Sequence, residues 1–499
     1  MKNFYNLLKL SCFGLFVVCL THSQLFSQGS TSSSLSGMVI DADGAELPAA
    51  TVLALHESSG ITKGTTTRLD GRYNIPNLRV GGPYTVTVKY LGFEDVVYND
   101  VYLSLGKDRI INTTMRESSV ELGVIEIVAG GILGSERSGA ETTIGSEEIR
   151  TIPTINRQIE DFVRLTPQAN VTGQGISIAN TNNRYNSIFI DGAVNNDVFG
   201  LADSGTNGGQ TGISPISPDA IEEFQVVVAP YDVTIGGFTG GGINAVTKSG
   251  SNNLNGSLYW LHKNQNLVGK TPTYFPIEDA DRERVADFSA NTYGITVGGP
   301  LIKNKAFFFV NAELQRDETP VPFSIDNYTG DSDAEDLDNL ISRLNELDHD
   351  PGAFGDKADE LQGEKVLVRL DFNLNESNTL TARHSYTKGT QINVNGSNSS
   401  TINFENNGVL FPSTTNSTAI ELNTIFNNEM SNNLIVGFTS VVDDRDPLGT
   451  EFPWVRINDG DGTIFFGSEQ FSTANQLDQK IFTLTDNLKL FKGKNTFTF

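Results

Sequence analysis

Lys365-Val-Leu-Val-Arg-Leu-Asp-Phe-Asn-Leu374 alternates apolar and polar residues. Successive side chains of an extended chain point to opposite faces. Val366, Val368, Leu370, Phe372 and Leu374 therefore share one face, and Lys365, Arg369, Asp371 and Asn373 share the other. Residues 306–314 repeat the pattern, with Ala306, Phe308, Val310, Ala312 and Leu314 set against Asn311 and Glu313. Similar runs cover 380–388, 420–426, 434–442 and 482–490. One apolar and one polar face over about 9–11 residues is the signature of a membrane-barrel strand.

The connections carry as much information as the strands. Short ones (301–305, 375–379, 427–433, 491–495) alternate with long ones (263–289, 317–364, 389–417, 443–480). Outer-membrane barrels have short periplasmic turns and long extracellular loops, an alternation that a soluble sandwich has no reason to adopt. About nine candidate strands run from Asn255 to the chain end, the last being 496–499. Plugged transporters close near 22 strands. Residues 251–499 are therefore expected to be the N-terminal part of a longer barrel, one that does not close or transport by itself.

Composition narrows the class. Glycine is 49 of 499 residues and the net charge is −25. A glycine share of about a tenth, against an average near 7%, suits an all-β protein with many turns. The acidity argues against nucleic-acid partners. Lys2 and Lys9 flank a mostly apolar run at 10–20, followed by Ser23 and Ser27. The run is too short to span a bilayer and has the layout of a secretory signal, expected to occupy 1–27. An N-terminal anchor is the alternative. Neither Cys12 nor Cys19 follows the small residues of a lipidation site. Both cysteines lie in that leader, so no disulfide is expected in the exported chain.

Two further regions precede the barrel. Residues 34–116 carry short alternating runs (36–40, 51–55, 84–90, 109–113) divided by Asp43-Gly44, Asp70-Gly71 and Gly81-Gly82. That spacing suggests a β-sandwich. Residues 121–250 mix acidic helical stretches (146–151, 156–165) with short strands (187–190, 224–228) and Gly-rich loops, the texture of an α+β domain.

In the first region, Gly37-x-Val39, Asp43-x3-Leu47-Pro-x-Ala50-x-Val52, Asp70-Gly-x-Tyr73-x-Ile75 and Gly82-x-Tyr84-x-Val86 resemble the carboxypeptidase regulatory-like domain. That domain has a carbohydrate-binding-like fold and no catalytic residues, so an accessory periplasmic module or an Ig-like spacer is implied. In the second, Thr151-Ile-Pro153, Asn156-Arg-Gln-Ile-Glu-Asp-Phe-Val163, Asn186-Ser-Ile-Phe-Ile-Asp-Gly192, Ile216-Ser-Pro-Asp-Ala-Ile-Glu-Glu-Phe-Gln-Val226 and 240–250 resemble a TonB-dependent receptor plug. Pro230-Tyr-Asp232, 236–242, Lys248-Ser-Gly-Ser-Asn252 and 297–309 look like the Oar-like group. The resemblance spans nearly the whole chain and implies an outer-membrane protein with sandwich, plug and barrel.

The resemblance also assigns roles. Residues 121–130 look like a TonB-box-like stretch, with Val124, Ile125, Glu126, Ile127 and Val128 as the coupling segment; the alternative is a first plug strand. An extended β-rich peptide suits coupling, because a partner can add it to a sheet edge. Implied partners are TonB with ExbB/ExbD, outer-membrane lipid and, as an open alternative, a surface lipoprotein. Plug loops that could face a ligand carry Asn183, Arg184 and Tyr185, and Asn195, Asn196 and Asp197; solvated loops are the alternative.

Other site chemistries find little support. The Gly236–Gly242 run lacks the Gly-Lys-Ser/Thr and helix of a phosphate loop. Asn458-Asp-Gly-Asp-Gly462 and 331–338 are acidic, but neither has the spacing of a 12-residue calcium loop. No metal or cofactor is expected. His56, His262, His349 and His384 share no motif, Asp348-His-Asp350 reads as a solvated loop, and neither Gly-x-Ser-x-Gly nor His-Glu-x-x-His occurs. Energised uptake of a peptide, glycan or chelate is thus implied rather than catalysis. A non-energised structural or adhesive surface protein is the rival, and a secreted enzyme would require the exported chain to be soluble without detergent.

Overall fold

A computed structural model describes residues 29–118, 124–128, 140–154, 156–172, 175–228, 236–270 and 284–499. The expected leader, residues 121–123 and 129–130 of the coupling stretch, and Pro230-Tyr-Asp232 lie outside these residues.

The first unit is a two-sheet sandwich. Its strands are β1 (Ser33–Ile40), β2 (Thr51–His56), β3 (Ile61–Thr66), β4 (Arg72–Leu78), β5 (Gly81–Lys89), β6 (Asp95–Leu103), β7 (Asp108–Ile110) and β8 (Thr113–Thr114). One sheet runs β4-β1-β7, with β8 also on β1; the other runs β3-β2-β5-β6. Alternation puts Leu35, Val39, Val52, Ala54, Val86 and Val88 between the sheets, packed on Tyr73, Ile75 and Met115. The run read as one strand at 109–113 is two. Opposite Gly37 and Met38 the ladder is replaced by side chains: Asn112 Oδ1 accepts from the Met38 amide at 3.0 Å, and the Tyr73 hydroxyl donates to the Ile111 carbonyl at 2.8 Å.

A fifth strand extends the second sheet. β9 (Val124–Val128) pairs in parallel with β6, Val124 opposite Asp95 and Val128 opposite Asn99.

The second unit contains β10 (Ala140–Gly145), α1 (Ser146–Thr151), α2 (Ile159–Val163), β11 (Ala169–Thr172), β12 (Gly175–Ile178), β13 (Ser187–Ile190), β14 (Ala193–Val194), β15 (Ile221–Val228) and β16 (Gly241–Thr247). The main sheet runs β10-β15-β16-β13-β14, and β11 pairs with β12. α2 is shorter than the helical stretch read at 156–165, and β15 begins three residues before the strand read at 224. Phe162, Ile188, Phe224 and Ile243 form its core, joined by Phe309 and Leu367 from the third unit.

That third unit is an antiparallel wall. It contains β17 (Asn255–Asn264), β18 (Ser289–Ile302), β19 (Ala306–Val321), α3 (Ala334–Asn345), β20 (Lys357–Asn373), β21 (Asn378–Asn393), β22 (Thr401–Asn403), β23 (Val409–Asn427), β24 (Met430–Asp444), β25 (Asp446–Pro447), β26 (Val455–Asp459), β27 (Gly462–Phe466), β28 (Gln476–Lys492) and β29 (Asn495–Thr498). The order is β17-β18-β19-β20-β21-β23-β24-β28-β29, with β25 on β23. Short turns at 303–305, 374–377, 428–429 and 493–494 alternate with long connections at 265–288, 322–356, 394–408 and 445–475. Several strands run well past the alternating stretch; β20 has 17 residues. Backbone pairing continues where the apolar face stops, so a hydropathy pattern marks only part of each strand.

Burial in the wall is inverted relative to a water-soluble protein. On the face turned to the plug, Asn311, Glu313, Lys365, Arg369, Asp371, Arg383 and Glu421 are buried. On the opposite face Leu258, Trp260, Leu314, Val366, Ile420, Phe438, Phe482 and Leu484 are exposed. Water would penalise such an apolar surface, whereas lipid solvates it. No helix of the described residues is long and apolar enough to cross a membrane. The strands do so instead.

The three later long connections, 322–356, 394–408 and 445–475, fold together. α3 and the three-stranded sheet β22-β27-β26 close around Leu337, Leu344, Ile402, Phe404, Ile464 and Phe466. His349, read as solvated, is buried in this cap: its ring stacks on Phe452 at 3.8 Å between centroids and bonds Asn406. Burial lowers its pKa. The two acidic stretches meet there as well. Asp333 caps α3, and Asp459 accepts from the Tyr328 hydroxyl at 3.0 Å and the Ser332 amide at 3.1 Å.

Candidate functional site where plug meets wall

Asp191, the last but one residue of the Asn186–Gly192 motif, sits at the centre of the contact. One carboxylate oxygen accepts from the Thr247 amide and the other from the Thr247 hydroxyl, both at 2.9 Å. Two arginines of the wall complete its surroundings, Arg369 at 3.3 Å and Arg383 at 3.0 Å. Arg369 also holds Asp371, with Nη2 to Oδ1 at 2.9 Å. All four side chains are about nine-tenths or more buried. A charge at that depth is costly unless it is paired and hydrogen-bonded, so removing one partner strands the others. The alternation of β20 and β21 places both arginines inward: each occupies a polar-face position.

The rest of the contact is also polar. Ser217 and Tyr259 donate to Glu313 at 2.8 and 2.6 Å, and Lys365 pairs with Glu313 at 2.8 Å. Gln210 bridges Asp443 at 2.7 Å and Arg445 at 2.8 Å. Thr387 donates to the Pro215 carbonyl at 3.2 Å. Close backbone approach to the wall occurs at Gly192, whose φ is +73° and where a Cβ would lie 2.6 Å from Ile435. The Gly240–Gly242 run makes no such approach to the wall. Its neighbours are Asn186, Thr181, Ile178 and Phe238, so those glycines serve packing within the plug.

Most of the polar residues singled out for ligand contact are bonded to other residues of the plug. Asn183 donates to the Ala202 and Asp203 carbonyls at 3.3 and 3.1 Å, and Arg184 to the Gly200 carbonyl at 3.0 Å. Asp197 accepts from the amides of Phe199, Leu201 and Ala202. Asn196 accepts from the Ile188 amide at 2.6 Å, and Asn195 is buried beside Asn207. Together they shape a loop that leaves Tyr185, Val198, Phe199 and Leu201 exposed. Sequence reasoning passed over the last three because exposed apolar residues have no motif.

The sandwich abuts both other units. Leu105 donates its amide to Glu223 at 2.7 Å, and Gln225 donates back to the Leu105 carbonyl at 3.1 Å. Burial of Glu223, only partly offset by the Leu105 amide and Lys107, raises its pKa to about 7. On the wall side, Lys63 reaches the Glu376 carbonyl at 3.2 Å, Arg68 those of Asn428 and Gly493, and Asn77 that of Asn432 at 3.2 Å. These partners lie at or beside the short turns, which places the sandwich on the periplasmic side.

Comparisons with known proteins follow the same division. A Carboxypeptidase regulatory-like domain matches residues 34–116, a TonB-dependent Receptor Plug Domain matches 135–243, and an Outer membrane beta barrel domain matches 246–328. The middle unit is thus similar to the plug of TonB-dependent receptors and the wall to an outer-membrane barrel, each over the residues matched. The chain is 29% identical over 299 residues to the TonB-dependent transporter Oar of Myxococcus xanthus, covering 56% of this chain and 26% of that protein. It thus spans about a quarter of the length of the curated relative it matches. Among solved structures, the outer membrane transporter YddB of Escherichia coli aligns at TM-score 0.49 and 16% identity, over 70% of this chain and 45% of that one. The siderophore receptor PirA of Acinetobacter baumannii aligns at 0.43 and 17%, over 70% and 44%. The chain is an outer-membrane protein, with the plug and barrel domains matched above.

Proposed function

We infer that the intact protein is an energised outer-membrane transporter for a ligand too large for passive porins, a peptide, glycan or chelate. The observation that carries this reading is the nature of the plug contact. The plug is seated on the wall chiefly through ion pairs and hydrogen bonds to charged lumen residues, Asp191 above all. Such groups can exchange protein partners for water, so the plug can be remodelled without exposing a large apolar core. Residues 124–128 would be the segment pulled by TonB, driven by ExbB/ExbD. Ligand would first meet the apical plug loops around Tyr185 and Phe199 and the extracellular cap; a surface lipoprotein could present it.

A structural or adhesive surface role draws on a different observation, the separately cored cap of α3, β22, β26 and β27. Deleting residues 121–130 in the full-length gene separates the two. Energised transport requires loss of TonB-dependent uptake with the protein still assembled in the membrane; unchanged, TonB-independent behaviour would sink it.

A further inference from the structure

Residues 248–254 are the covalent link between the last plug strand, β16, and the first wall strand, β17. The sandwich grips this link at two points. Asn252 donates its amide to the Ser58 carbonyl at 2.9 Å and its side chain to the Ser59 carbonyl at 2.7 Å. Arg79, between β4 and β5, donates to the Gly250 carbonyl at 3.2 Å and bonds the Ser249 hydroxyl. Ser249 in turn donates to Asp371, and Arg79 itself lies 3.6 Å from that carboxylate. Asp371 is the partner of Arg369, which holds Asp191 of the plug. The Tyr84 hydroxyl fixes the Arg79 carbonyl at 2.8 Å, and the guanidinium lies over the Phe307 ring at 5.8 Å. One side chain of an accessory domain is thereby joined to the link, the wall and, through three ion pairs in series, the plug.

We propose that the sandwich is a clamp on the plug's hinge, with Arg79 as its positioning residue, and that the plug leaves the wall only after the sandwich has moved. The geometry gives a reason for the order. Any swing of the plug about 248–254 must carry Ser249 and Gly250 away from Arg79, breaking two contacts of one guanidinium at once and the Ser249 bond to Asp371 with them. The proposal also supplies a route for force. β9 is paired along five residues with β6 of the same sandwich. A pull on β9 therefore reaches the sandwich first, and reaches the plug through the link that Arg79 holds. This second step rests on the coupling role inferred above for 124–128; the clamp does not.

The test uses the intact receptor in planar bilayers, with potassium chloride current reporting plug release as urea is raised on the periplasmic side. Arg79→Ala should open at lower urea, with several-fold more open events at a fixed concentration. Arg79→Lys keeps the charge but cannot span Ser249, Gly250 and Asp371 together, so it should fall between, and it carries the test if the alanine variant does not assemble. Asp371→Asn should lower the midpoint too, and the double variant Arg79→Ala/Asp371→Asn should be no worse than the lower single. Lys63→Ala, which loosens the sandwich elsewhere on its docking face, should instead add to Asp371→Asn. A wild-type midpoint in Arg79→Ala, or full additivity with Asp371→Asn, overturns the clamp. None of these currents involves TonB. Deleting 124–128 tests the coupling reading by itself, abolishing energised uptake while leaving the urea midpoint unchanged.

Discussion

At the residue scale, two buried titratable groups of the periplasmic side give opposite pH signatures. The His56 ring packs at a tilt against Tyr84 and bonds Ser59, and burial, with Arg79 nearby, lowers its pKa from 6.5 to about 3. A depressed value for a base means that its contribution to folding is complete above pH 6.5 and is lost as pH falls from there towards 3. Hydrogen exchange across β2 and β5 should therefore accelerate, after correction for intrinsic rates, over that window; His56→Phe should flatten the response. Glu223 is shifted the other way, from 4.5 to about 7. A raised value for an acid means that the docked state is favoured below pH 4.5 and weakens as pH rises through 7. Protection of the Leu105 amide should follow that course, and Glu223→Gln should hold it constant. A pH-independent Leu105 in the native protein would count against the assignment.

At the element scale, the two faces of a wall strand should respond in opposite senses. Val366 faces outward and is 42% exposed, between inward-facing Lys365 and Leu367. Placing a charge there exposes it to hydrocarbon, so Val366→Arg should cost about 2–4 kcal/mol in denaturation from lipid, the scale for a midplane arginine. The measurement fails to support a lipid-facing wall if the substitution is neutral. The extracellular cap is a separate element with its own core. Phe404 is fully buried and packs edge-on against Phe354 and Phe466. Phe404→Ala should cost the cap about 3–5 kcal/mol, the range for a buried phenylalanine. Proteolysis of 322–356 and 445–475 should quicken while the heat-modifiable migration of the barrel is kept.

At the scale of the whole molecule, three units meet around a cavity of ≈ 290 Å³ bordered by Arg79, Glu222, Arg369, Asp371 and Glu421. The sandwich is attached there by polar contacts, each worth little in partial exposure. Lys63, Arg68 and Asn77 should therefore act additively when each is changed to Ala. The triple variant should release residues 34–116 to protease faster than any single, without unfolding the wall. Equal release in the wild type and the triple variant would show that other contacts, such as Val80 and Leu105 on Val246, dominate the attachment.

Much of this architecture is legible in the sequence because it depends on local periodicity. A period of two fixes which residues of β19, β20 and β21 share a face, and loop length alone orders the turns and long connections along the wall. The plug motifs mark where helices and strands begin; α1 and β13 fall on the residues read for them. Strand ends were less legible, since pairing outlasts the apolar pattern. The cap was not legible at all: its core joins residues from three connections, from Leu337 to Phe466, and no local period records such a meeting. The candidate site divides in the same way. The sequence by itself determined that Arg369 and Asp371 lie on a polar face, that Asn186–Gly192 belongs to a plug, and that 124–128 is extended. Only the tertiary structure decided that Asp191 joins Arg369 and Arg383, that β9 rests on β6, and that Arg79 reaches the link between plug and wall. Alternation is a property of neighbouring residues, whereas a buried ion pair is a property of whichever distant residues the fold brings together.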